Sequence, residues 1–267
     1  MDPDPRLTPL VSWVLRIGVV MEFIGHGWLG LGRVAAWTSY FAVVGIGKPT
    51  ALALMPWVGA LDVSLALAVL FYPVRGVILY MAAWGLWTAL LRPLAGESAW
   101  EAVERAGNYG VLGALFLLTE GRGVRSWFRF RLRPLVGPLL ARVAWVLRLT
   151  TGLLLAGHGV LGLLVRKPLF AMQYGIIGLH APWLEPAIGA AELALAAAVL
   201  IRPGVGLLYL VLAWKLASEL LSPIAGSPIW VFIEHGGSYA APLALALIER
   251  SRQASSARGR RRAPAAG

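Results

Sequence analysis

The chain contains no cysteine. That excludes disulfides, thiol redox chemistry, and metals or iron–sulfur clusters held by thiolates. Charge is scarce as well. Only 14% of residues are Asp, Glu, Lys or Arg, against about a quarter in a typical soluble domain. There is no Walker loop, dinucleotide fingerprint, zincin helix, nucleophile elbow or kinase motif. Residues 1–9 carry two aspartates and one arginine, a poor leader for a signal peptide. Glu22 and His26 interrupt the apolar run behind them, so that run reads as a retained helix.

Apolar residues fill the space that charge leaves. They make up 58% of the chain, and mean hydropathy is +0.72. They gather in runs near 20 residues, about the length that crosses a hydrocarbon core of ~30 Å. Eight spans can be drawn, at 11–31, 51–72, 74–91, 106–119, 139–164, 184–201, 204–221 and 230–248. The predicted fold is all-α, a polytopic membrane protein with eight transmembrane helices. Pro73 and Pro203 mark tight turns between spans two and three and between spans six and seven. The tryptophans sit mostly near span ends, where aromatic belts belong.

The formal charge of +11 comes from arginines placed between the apolar runs. That pattern signals topology, and no nucleic-acid partner is expected. With both termini on one side, that side holds 17 lysines and arginines and the other holds 6. The termini are therefore predicted to be cytoplasmic, in a multi-pass protein of the cell (inner) membrane. The expected partners are the lipid bilayer and other membrane subunits. The basic connection at 122–138 opens with arginines alternating with Trp127, Phe128, Phe130 and Leu132. Residues 122–133 can lie on anionic headgroups, or simply tether two halves. The tail at 250–267 has no apolar periodicity and reads as disordered.

The halves repeat. Gly25-His26-Gly27 returns as Gly157-His158-Gly159, and Arg16 as Arg148. Asp62 matches Glu192, Trp84 matches Trp214, Glu104 matches Glu234, and Tyr109 matches Tyr239. Residues 1–121 and 139–249 thus read as two four-helix units. Four spans are an even number, so the units share orientation and form a parallel repeat. Gly18, Gly30 and Gly162 offer small-residue faces on which the two units can meet.

This pattern resembles the DoxX/DoxD-like membrane family. The resemblance rests on an arginine entering the first helix, a glycine-rich step within it, and an acid in the second. Here those residues are Arg16, Gly25, Gly27, Gly30 and Asp62, then Arg148, Gly157, Gly159, Gly162 and Glu192. It covers both halves, so the chain resembles a tandem member of that family. One branch of the family is similar to the membrane subunit of a thiosulfate:quinone oxidoreductase. The resemblance therefore implies a link to quinone chemistry.

Intramembrane charge marks candidate function. Glu22, Asp62, Glu192 and Lys215 fall at about 12–16 Å along their spans, at roughly 1.5 Å per residue. Glu219 follows Lys215 by one helical turn. These residues form a predicted midplane layer, either a ligand or proton-relay site or a set of structural ion pairs. His26 and His158 fall nearer the other surface. There His26 is expected to meet Glu104 or Tyr109, and His158 to meet Glu234 or Tyr239. Glu97, Glu101, Glu104 and Asn108 line one side of a short helix and read as a solvated face. The histidines serve either as helix-packing hydrogen-bond partners, or as the lining of a quinone or small-solute site, or as a haem pair. In the last case the glycines clear room for the macrocycle. No metal site is predicted. Three functions follow: small-molecule binding within a redox-linked complex, a small-solute or proton-coupled transporter, and a non-catalytic scaffold.

Overall fold

The computed structural model describes residues 5–121 and 123–262. The first half runs α1 (Leu7–Leu31), α2 (Thr38–Ala42), α3 (Lys48–Phe71), α4 (Arg75–Leu94), α5 (Ala99–Glu104) and α6 (Ala106–Leu118). The second half runs α7 (Gly137–Val160), α8 (Pro168–Ile176), α9 (Leu184–Ile201), α10 (Val205–Ile224), α11 (Ile229–Ile233) and α12 (Gly236–Arg262). A π-helical turn at Leu161–Val165 extends α7. No strand occurs among the described residues. The one departure is an isolated bridge between Thr119 and Leu132.

Seven segments are long and apolar enough to cross a membrane. They are α1, α3, α4, α7 with its π turn, α9, α10, and the stretch Ile229–Ala257. The chain is thus an all-α, multi-pass membrane protein in its class. The predicted fourth span differs in form. Helix α6 has 13 residues, about 20 Å at 1.5 Å per residue, and α5 precedes it across a break at Arg105. Val111, Leu112, Leu115 and Leu118 of α6 are fully buried against neighbouring helices. A helix wrapped by protein has no need to match the lipid thickness.

Helices α1, α6, α7 and α12 pack together at the centre. Helices α3 and α4 flank them on one side, and α9 and α10 on the other. The contacts across the centre come in matched pairs. Gly18 of α1 lies against Gly236 and Ala240 of α12, and Gly110 of α6 lies against Thr150 of α7. Gly25 meets the backbone of Glu234, and Gly157 meets that of Glu104. Gly107 and Gly237 face each other. Small residues allow these backbones to approach, which is how helices associate without a hydrophobic driving force between them. Gly18 therefore sits between the halves as expected. Gly30 and Gly162 do not: they pack on Gly59 and Gly189 of their own halves.

Arginines close helix ends. Arg16 reaches from α1 to the carbonyls of Val69 and Leu70 at the end of α3. Arg148 does the same from α7 to Val199, Leu200 and Ile201 at the end of α9. Arg75 binds the carbonyl of Thr119 just past α6. A cation suits these positions because the last carbonyls of a helix lack partners and carry partial negative charge.

Two segments differ from expectation. The tail from 250 is helical through Arg262, where disorder is predicted. Alanine and arginine favour helix, and an Arg252–Glu249 pair at 2.6 Å supports the extension. Residues 263–267 of the predicted tail lie outside the described residues, as does Arg122. In the basic connection, Trp127 and Phe130 lie against the guanidinium groups of Arg75 and Arg16, with Trp127 still exposed on its other side. Phe128 is exposed beside Arg125, Arg129 and Arg131, so only part of the segment presents the aromatic-and-arginine face read from sequence.

Candidate functional site

The site begins with a close helix crossing. The carbonyl oxygen of Gly27 and the chain at Gly30 approach Gly59 so tightly that no Cβ fits at Gly59. With α1 and α3 drawn together, His26 reaches Asp62. Its Nδ1 lies 2.8 Å from Asp62 Oδ2. Trp84 of α4 donates its indole N–H to Asp62 Oδ1 at 3.0 Å. An ionised carboxylate only accepts, so with Asp62 ionised the imidazole carries a proton on Nδ1.

The second half repeats the arrangement. Nδ1 of His158 lies 2.5 Å from Glu192 Oε2, and Trp214 donates to Glu192 Oε1 at 2.7 Å. The histidines thus pair with Asp62 and Glu192, not with Glu104, Tyr109, Glu234 or Tyr239. The depth argument misled because α3 begins at Lys48 and overshoots the end of α1, which shifts the register of the facing helices. The two predicted layers are one. Tyr109 and Tyr239 have a different task. Each hydroxyl binds a backbone carbonyl of the short helix before its own, Ala102 in one case and Phe232 in the other.

The glycines flanking each histidine are filled by neighbouring backbone. Gly25 and Gly157 receive Glu234 and Glu104, and Gly27 and Gly159 receive Gly59 and Gly189. They clear no room for a macrocycle, which removes the argument for a haem pair. They serve the packing role instead.

The halves differ in what surrounds these triads. In the first half, His26 borders a cavity of 330 Å³. Trp37 stacks on the His26 ring at a centroid distance of 4.6 Å. Tyr40, Trp57 and Trp87 add aromatic wall, and Arg92, Arg105 and Asn108 add donors. Tyr40 donates to Glu97 at 2.5 Å. Burial, with that hydrogen bond, pushes the Tyr40 hydroxyl up to about 12 against the pull of Arg92. The phenol is therefore neutral at physiological pH.

In the second half, Lys215 and Glu219 occupy the positions that Gly85 and Ala89 hold in the first. They pair at 2.5 Å, and Lys215 is 1% exposed. His158 there packs on Phe170 at 4.4 Å between ring centroids. A polar cavity of 190 Å³ remains, lined by His158, Gln173, Ser218, Ser222, Glu219 and His235. Arg92 and Arg105 border both cavities.

Sequence reasoning missed Arg105, His235 and Trp84 as site residues. Trp84 and Trp214 follow their carboxylates by 22 residues in both halves, and that shared spacing was the available signal. Arg105 and His235 are aligned counterparts of different chemistry, which repeat matching passes over. The solvated face also reads differently. Glu101 and Glu104 are buried because α5 packs on α7. Glu101 pairs with Lys167 at 2.7 Å. Glu104 has a neighbour in His235, 3.9 Å away. Arg105 and His235 are charged or ionisable neighbours of Glu104 that counter its burial. Glu104, Glu234 and Glu101 surround the Arg105 guanidinium.

Glu104, Glu219 and His235 bring ligand-type atoms within 4.8 Å of one another. Lys215 and Arg105 already balance these two carboxylates, so the cluster is satisfied as an ion-pair network. Comparison with protein-family models, curated proteins and solved structures finds no match for this chain. What the fold and site define is a class: a multi-pass helical membrane protein carrying paired His–carboxylate–Trp triads.

Proposed function

We propose that the protein binds a small amphipathic molecule with a ring-shaped polar head, and that a quinone is the class this pocket suits best. The observation that carries the reading is the 330 Å³ cavity with His26, Asp62 and Trp84 on its wall. Aromatic walls favour a flat ring. A quinone only accepts hydrogen bonds, and Arg92, Arg105 and Asn108 supply donors. Leu54 and Trp57, exposed on the outer side of α3, border the same cavity and give an apolar tail a way toward lipid.

The surrounding architecture belongs to the same proposal. The chain is read as a parallel duplication with eight spans, α5 and α6 together forming the fourth. The reciprocal contacts Gly25–Glu234 with Gly157–Glu104, and Gly18–Ala240 with Thr150–Gly110, support that reading. So does the facing of Gly107 on its own counterpart Gly237, as expected on a twofold axis. The resemblance to DoxX/DoxD-like proteins supports a place in a redox-linked complex of the cell membrane, with cytoplasmic termini and partner subunits. A carrier is the second reading, favoured by the two cavities that meet at Arg92 and Arg105.

The test is equilibrium binding of a short-chain benzoquinone to the purified protein, read by quenching of tryptophan fluorescence. Saturable binding is expected, with Asp62→Asn and His26→Ala each weakening it at least tenfold, about 1.4 kcal/mol. Undiminished affinity in both variants removes these residues from the site.

A further inference from the structure

Glu22 lies on α1, one turn before His26. It is 3% exposed, and its Oε2 is buried without a hydrogen-bond partner. With His26, Asp62, Asn108 and Glu234 it lines a small chamber. His26, Asp62, Trp84, Thr88 and Asn108 also border the 330 Å³ cavity, so these five residues form the wall between the two spaces. Packing does not require an acid here. The equivalent residue in the second half is Leu154, buried to 1% exposure. Helix α12 leaves room for the carboxyl, since a Cβ at Gly237 would stand 3.0 Å from Oε2.

The charges around Glu22 come from four directions. His26 is on its own helix, Asp62 on α3, Glu234 beyond α11, and Arg105 between α5 and α6. Helix α4 contributes Trp84, Gly85 and Thr88, which carry none. Two of these neighbours are carboxylates. An ionised, unpaired carboxylate in such a place is costly, and the neutral acid is not. Arg105 has a buried Nε without a partner and lies within electrostatic range of Glu22.

We infer that Glu22 stores a proton for the ligand cavity and passes it through His26, with Arg105 steadying the carboxylate left behind. In the step the Glu22 O–H bond breaks and an N–H bond forms on the imidazole. That N–H bond then breaks as the proton forms an O–H bond on a ligand oxygen that carries negative charge, and the imidazole returns to its earlier state. No electron moves within the step. The direction of delivery rests on the ligand reading above; the stored proton and its route do not.

Infrared difference spectroscopy on the full-length protein in lipid tests both parts without ligand. Wild type should show the carbonyl stretch of a protonated buried carboxyl, and Glu22→Leu should lack it. Leucine occupies the equivalent site, so this variant should fold, and Glu22→Gln provides a second comparison. On transfer to heavy water, His26→Ala should slow deuterium exchange of that band at least tenfold. Coincident carboxyl regions in wild type and both Glu22 variants overturn the stored proton. Exchange unchanged in His26→Ala overturns the route. Neither result depends on whether a quinone binds.

Discussion

At the scale of single residues, pairing decides which buried charges are tolerated. Lys215 sits in the second half where the first has Gly85, and among the described residues its one direct carboxylate bond is to Glu219 at 2.5 Å. Removing one partner from a buried pair costs about 3–5 kcal/mol, whereas replacing both with apolar groups is often close to neutral. Lys215→Met is therefore expected to lower thermal stability in detergent sharply. The double variant Lys215→Met, Glu219→Leu should recover most of that loss, as read from thermal melting. Equal losses in the single and double variants would argue that the pair has a role beyond mutual neutralisation. The i,i+4 spacing made this pair legible in sequence. The His26–Asp62 bond was not legible, because it depends on how far α3 extends past α1, which no local pattern encodes.

At the scale of elements, glycine placement sets the architecture. The Gly-His-Gly step was readable as a repeated motif, and its spacing located the two halves. Its physical purpose emerged only from the packing. The first glycine of each step admits the short helix of the opposite half, and the second admits the facing helix of its own half. A side chain at Gly157 would fall on the backbone of Glu104, and over-packing of this kind costs about 1–3 kcal/mol. Gly157→Val should lower the melting temperature, while Gly206→Val on α10, where the space is open, should leave it unchanged. Similar melting of the two variants would contradict the close crossing. The breaks between α5 and α6 and between α11 and α12 follow from the same contacts. Each brings a glutamate, Glu104 or Glu234, against a glycine of the other half.

At the scale of the whole molecule, like helices surround unlike interiors. The length of the apolar runs revealed the membrane class, and the matched motifs led to the two-unit reading proposed above. They did not reveal that an aromatic cavity lies in the first half and a smaller polar one in the second. Lys215 and Glu219 place a buried ion pair in the second half where the first has Gly85 and Ala89. The polar belt also joins the halves. Arg105, from the first half, sits among Glu104, Glu101 and Glu234, and His235, from the second, sits between Glu104 and Glu219. Arg105, a member of this network, also borders the 330 Å³ cavity.

The central claim is that the first half alone presents an aromatic ligand site on a His–carboxylate–Trp triad. The most direct measurement compares matched lesions in the two triads, Asp62→Asn and Glu192→Gln, by benzoquinone affinity at equal protein stability. The account predicts a loss of tenfold or more for Asp62→Asn and a change of less than twofold for Glu192→Gln. Equal losses in both, or a loss confined to Glu192→Gln, would contradict it.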